Sequence, residues 1–114
     1  MRSLPILAIS VLCLTGCSHR PAVNEVHVAE RMRAYGCVSC HTIPHISGAE
    51  ATVGPPLDRF GSRTYIAGVL PNSPENLSRW IQHPQSIHPG TAMPEMGVTQ
   101  NDADEISRFL GSLK

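Results

Sequence analysis

Lysine is almost missing from this chain. It occurs once, at Lys114, and the nine Lys and Arg together only balance nine Asp and Glu. A chain without a basic excess lacks the electrostatic footprint of a nucleic-acid binder and of a strongly basic docking face. Aromatic residues are scarce as well: Tyr35, Phe60, Tyr65, Trp80 and Phe109 make up 4% of the sequence. So few large rings leave a small domain short of core volume. Long apolar runs are also absent. The longest stretch, Leu4 to Leu14, is broken by Pro5 and Ser10, and it falls short of the roughly 20 apolar residues that span a bilayer.

That first stretch has a different use. Met1-Arg2 followed by a short apolar segment has the shape of a secretory signal. Its end, Leu14-Thr15-Gly16-Cys17, resembles the lipobox of bacterial lipoproteins; ordinary cleavage near Gly16 is the simpler alternative. The resemblance implies that residues 1–16 are removed, that Cys17 is the lipidation site and that 17–23 tether one domain, 24–114, to a bacterial membrane in the periplasm. Two or more acyl chains make such anchoring stable. Loss of Arg2 with the leader leaves eight Lys and Arg against nine Asp and Glu.

With Cys13 in the leader and Cys17 at the start of the tether, the domain keeps two cysteines, in Cys37-Val38-Ser39-Cys40-His41. C-x-x-C alone also serves zinc sites and dithiol redox pairs. A structural zinc site usually brings a second pair of ligands, and His45 does not supply the loop a zinc finger uses. A thioredoxin-like pair expects a βαβ setting, whereas these flanks read as helical and Pro-rich. C-x-x-C-H is the pattern of covalent haem c attachment. It predicts thioethers at Cys37 and Cys40 and a proximal iron ligand at His41. A buried porphyrin would also supply the missing apolar volume, so the apo chain is expected to fold poorly.

Hydrophobic spacing places the surrounding elements. Asn24 caps a helix running to about Tyr35, with Val26, Ala29, Met32 and Tyr35 on its apolar stripe. Thr42 to Gly61 reads as loop, and Arg63 to Leu70 as a short helical turn. Ser73-Pro74-Glu75 starts a second helix with Leu77, Trp80 and Ile81 on one face, and Pro84 stops it. Gln85 to Gly97 reads as loop. Thr99 and Asp102 resemble a capping box for a last helix carrying Ile106, Phe109, Leu110 and Leu113. The expected class is all-α: three main helices and long loops wrapped around one cofactor.

Iron with one histidine either stays open or takes a sixth ligand. Met93, in Pro89-Gly90-Thr91-Ala92-Met93-Pro94, sits in a proline-flanked loop able to hold a thioether at a fixed point. A thioether favours the reduced metal. Met96 is second choice, and Met32 on its helical stripe reads as core filler. His19, His27, His45, His83 and His88 read as surface or loop residues.

These pieces, in this order, resemble the class I, mitochondrial-like cytochromes c over nearly all of residues 24–114. The resemblance implies the cytochrome c fold with a single covalent haem c, and iron ligated by His41 and Met93. Gly54-Pro55-Pro56-Leu57 is similar to the family's Gly-Pro-x-Leu, which gives Pro55 the role of accepting the His41 Nδ1–H. Arg63 and Thr91 are placed to bind propionates, and Trp80 to line the methionine side. Two departures stand out: Val28 and Ala29 replace the glycine expected at the crossing of the first and last helices, and the family's basic surround is missing.

The function so implied is one-electron transfer by a non-enzymatic carrier tethered in the periplasm. It would serve a quinol-oxidising complex, a terminal oxidase or a periplasmic dehydrogenase, as a free carrier or as a complex subunit. A small haem peroxidase or gas sensor would need Met93 to leave the iron. A dithiol oxidoreductase would need Cys37 and Cys40 free.

Overall fold

A computed structural model of the chain describes residues 23–114; the expected signal, Cys17, His19 and the expected tether up to residue 22 lie outside the described residues. The order is α1 (Glu25–Ala34), β1 (Tyr65–Ile66), β2 (Leu70–Pro71), α2 (Pro74–Gln82), α3 (Pro84–Ile87) and α4 (Gln100–Ser112), with short 3-10 turns at Cys37–Ser39 and Phe60–Ser62. Among the described residues no helix is long and apolar enough to cross a membrane.

Each long helix begins on a side chain that satisfies a free backbone N–H. Asn24 accepts from His27 N, Ser73 from Asn76 N with Pro74 behind it, and Thr99 from Asp102 N. The helices form one core. Val28, Ala29 and Met32 of α1, Leu77, Trp80 and Ile81 of α2, and Ala103, Ile106, Phe109 and Leu110 of α4 are all buried. Full burial of an Ile, Leu or Phe contributes about 1.5–3 kcal/mol, so α4 holds much of the fold. Polar groups caught between α2 and α4 are paired: Ser78 Oγ donates to Asp104 Oδ1 at 2.7 Å, and Ser107 Oγ to the Pro74 carbonyl at 2.8 Å. Gly61 lets the loop touch the end of α4. A Cβ there would stand 2.1 Å from the Gly111 carbonyl oxygen, and Gly61 N instead donates to the Leu113 carbonyl at 2.8 Å.

The all-α expectation with three main helices is corrected: the domain has four α-helices and a two-stranded antiparallel sheet. Residues 63–70 do not coil into a helical turn. Tyr65 pairs with Pro71 and Ile66 with Leu70. The chain reverses through Ala67 and Gly68, both at positive φ (49° and 71°), the combination that matches the twist of a tight hairpin. Glycine pays little for that region and alanine resists it, so composition gave no warning. Pro84 ends α2 but does not open a loop. Its fixed φ and missing N–H suit a first helical position, and it starts α3.

Candidate redox cleft

The Cys37–Ser39 turn follows Gly36, whose φ of 82° takes the chain out of α1. The Cys37 carbonyl accepts from both Cys40 N and His41 N, at 3.2 and 3.0 Å, which fixes the spacing of the two thiols and the imidazole. Beyond His41 the chain loops back: Thr42 bridges Glu50, Gly54 N donates to the Cys40 carbonyl at 2.6 Å, and Leu57 N donates to the Thr42 carbonyl at 2.9 Å. This return lays residues 54 and 55 against the His41 ring. Nδ1 lies 2.7 Å from the Pro55 carbonyl. A carbonyl only accepts, so Nδ1 carries the proton and Nε2 keeps a lone pair for a metal. A Cβ on Gly54 would stand 2.5 Å from His41 Cε1 and 2.8 Å from Nδ1. Only glycine fits beside this ring.

A cavity of about 490 Å³ opens here. The residues singled out from sequence all line it: Cys37, Cys40, His41, Pro55, Arg63, Trp80, Thr91 and Met93. They arrive from well-separated stretches of chain, so the fold itself assembles the cleft. Met96 lines it too. Arg63 is already engaged, its Nη2 donating to the carbonyls of Pro56 and Asp58 at 2.5 and 2.9 Å and its guanidinium lying 5.0 Å from the Phe60 ring centroid. It ties the loop together at the cleft edge.

The Met93 side is held by a residue that sequence reasoning passed over. Gln85 Nε2 donates to the carbonyls of Thr91 and Met93 at 2.7 and 2.9 Å, and its Oε1 accepts from Gly90 N at 3.2 Å. Glu95 reaches back to accept from Gln85 N at 3.1 Å, with His83 Nδ1 3.6 Å from its other oxygen. No residue pattern announces an amide that bonds main chain. Gly54 carried a legible signal, its place before Pro55, although the ring contact needed three dimensions.

The chemistry of the thiols narrows what the cleft can do. Burial pushes the Cys37 thiol up to about 11, its neighbour Cys40 adding to the rise while a backbone hydrogen bond opposes it. A thiol so raised is neutral at pH 7 and is not an activated nucleophile. Nor do the two sulfurs and the His41 ring converge on one point. Among the described residues, the only His, Cys, Asp and Glu ligand atoms gathered three together within 4.8 Å belong to His27, Asp102 and Glu105. A lone ion bound at once by both thiols and His41 does not fit this arrangement.

No family model matches the chain. Curated relatives do. It is 38% identical over 79 residues to cytochrome c oxidase subunit 2 of Alkalihalophilus pseudofirmus, covering 68% of this chain and 22% of that protein. The same subunit of Bacillus sp. (strain PS3) is 34% identical over 82 residues, covering 68% of this chain and 23% of the relative. That of Bacillus subtilis is 35% identical over 91 residues, covering 75% and 25%. The chain thus spans about a quarter or less of the length of the curated relatives it matches.

These findings correct the resemblance to class I cytochromes c. The relatives are subunits of an oxidoreductase complex, not free-standing cytochromes c, and no cytochrome family model joins them. The cytochrome c fold drawn from that resemblance is corrected with it, the fourth helix and the hairpin being the structural departures. So are the cofactor, one covalent haem c, and the function, a haem c carrier anchored as a lipoprotein: the likeness found is to an oxidase subunit whose name specifies neither.

Proposed function

We propose that residues 24–114 form an electron-transfer domain that works with a terminal oxidase, and that the cleft is its redox centre. In this reading His41 Nε2 and the Met93 thioether ligate the metal of the redox group from two separate segments. Cys37 and Cys40 contact the group along the turn, Pro55 orients His41, Trp80 lines the apolar wall, and Arg63 and Thr91 stand at its edge. A thioether ligand favours the lower oxidation state and so raises the potential relative to a second imidazole. The observation that carries the reading is the convergence of these residues on one cavity of about 490 Å³. Similarity to part of cytochrome c oxidase subunit 2 supports the choice of partner, and in this reading the domain serves within an oxidoreductase complex.

Elemental analysis and an optical redox titration of the exported full chain test this. A redox-active metal that is lost in His41→Ala, and whose potential falls in Met93→Ala, is the expected outcome; the element found also identifies the group. A chain without a redox-active metal, or one that keeps it unchanged in both variants, overturns the assignment.

A further inference from the structure

A second cluster lies away from the cleft, where α1 packs on α4. His27 comes from α1, and Asp102 and Glu105, one turn apart on α4, present their carboxylates on the same face. One ligand atom from each of the three lies within 4.8 Å of the others. His27 Nε2 is 3.3 Å from Glu105 Oε2. Two ligand atoms each 2.0–2.1 Å from a tetrahedral ion stand about 3.4 Å apart, so this pair already has the edge length of a zinc polyhedron.

The carboxylates are also prepared for an ion. Glu105 Oε2 is itself covered, on a side chain that is 36% exposed, and it has no hydrogen-bond partner beyond the ionic contact with His27 Nε2 at 3.3 Å. A buried carboxylate oxygen without a donor is costly unless a cation meets it. Asp102 uses Oδ2 to accept from the Tyr35 hydroxyl at 2.6 Å, which fixes the plane of its carboxylate. Such outer hydrogen bonds orient metal-ligating groups. The cation now facing Oδ1 is Arg31, whose Nε is 3.7 Å away and whose side chain is 46% exposed, so it can swing into solvent.

We propose that His27, Asp102 and Glu105 form a divalent-metal site of the zinc class that staples α1 to α4. One imidazole, two carboxylates and a water complete the tetrahedral set that zinc accepts. The site is built from residues outside the cleft and stands independently of the redox reading. Binding to the folded chain raises its stability by mass action.

The test is zinc titration of the purified full chain against a chromogenic chelator, with thermal unfolding in zinc and in EDTA. The expected result is a tightly held equivalent of zinc and a midpoint raised by several degrees, both lost in His27→Ala. Glu105→Gln, which keeps shape and hydrogen bonding, should weaken binding at least tenfold and decides the matter if His27→Ala does not fold. Arg31→Gln should tighten binding. No retention of zinc at 100-fold excess over protein overturns the proposal. So does retention that is unchanged in His27→Ala and Glu105→Gln, which would give the metal to the cysteines.

Discussion

The two sides of the cleft are held by different means. On one, His41 is fixed by main chain: the Cys37 carbonyl behind it, the Pro55 carbonyl on Nδ1, and the bare Cα of Gly54 against its ring. On the other, Met93 rides on a segment, residues 88–97, without regular structure, and side chains fasten it, Gln85 by three bonds and Glu95 by one. Main-chain contacts survive most substitutions, because every residue carries the same backbone. A side-chain clamp is lost with one residue. The imidazole is therefore the fixed point of the cleft and the thioether the adjustable one.

The sharpest way to break this contrast is to strike the fixed side at its one side-chain-dependent point. Gly54→Ala forces a methyl into the His41 ring, and overpacking of this kind costs about 1–3 kcal/mol. Chemical denaturation should show a loss near 3 kcal/mol, together with reduced metal occupancy. A variant of normal stability and occupancy would mean that the ring is not pinned there. Gln85→Ala leaves two carbonyls and one N–H of the loop without their partner and should cost about 2 kcal/mol. Amide exchange should quicken at residues 90–93 and stay unchanged at 37–41; equal quickening on both sides would erase the distinction.

The smallest effect sharpens the comparison from outside the cleft. The Tyr35 hydroxyl is the main cause, ahead of Thr99, Arg31 and His27, that holds the Asp102 carboxyl below its ordinary range, with burial opposing. A carboxyl lowered in the folded state contributes stability in full above its unfolded value, and that contribution disappears as pH falls through the folded one. The native chain should lose stability on acidification below about pH 4. Tyr35→Phe should cost about 0.5–1 kcal/mol at pH 7 and flatten that acid limb. An unaltered limb would place the acid sensitivity elsewhere.

Much of this architecture could be read without coordinates. The caps at Asn24, Ser73 and Thr99 and the apolar spacing of α2 and α4 are local signals, and local signals survive folding. The cleft residues were legible because their residue types are chemically unusual: paired thiols beside an imidazole, and a methionine between prolines. The hairpin was not, since alanine at positive φ contradicts its own preference. Gln85 was not, since its role exists only once Thr91 and Met93 come within reach. His27 read as a surface histidine, since its partners sit some 75 positions further along the sequence and only helix packing delivers them.

Gln85 gives both N–H groups of its amide to main-chain carbonyls of the loop and takes a main-chain N–H on its oxygen. Turning that one amide disturbs all three contacts together, so the position of the methionine segment depends on the orientation of a single planar group.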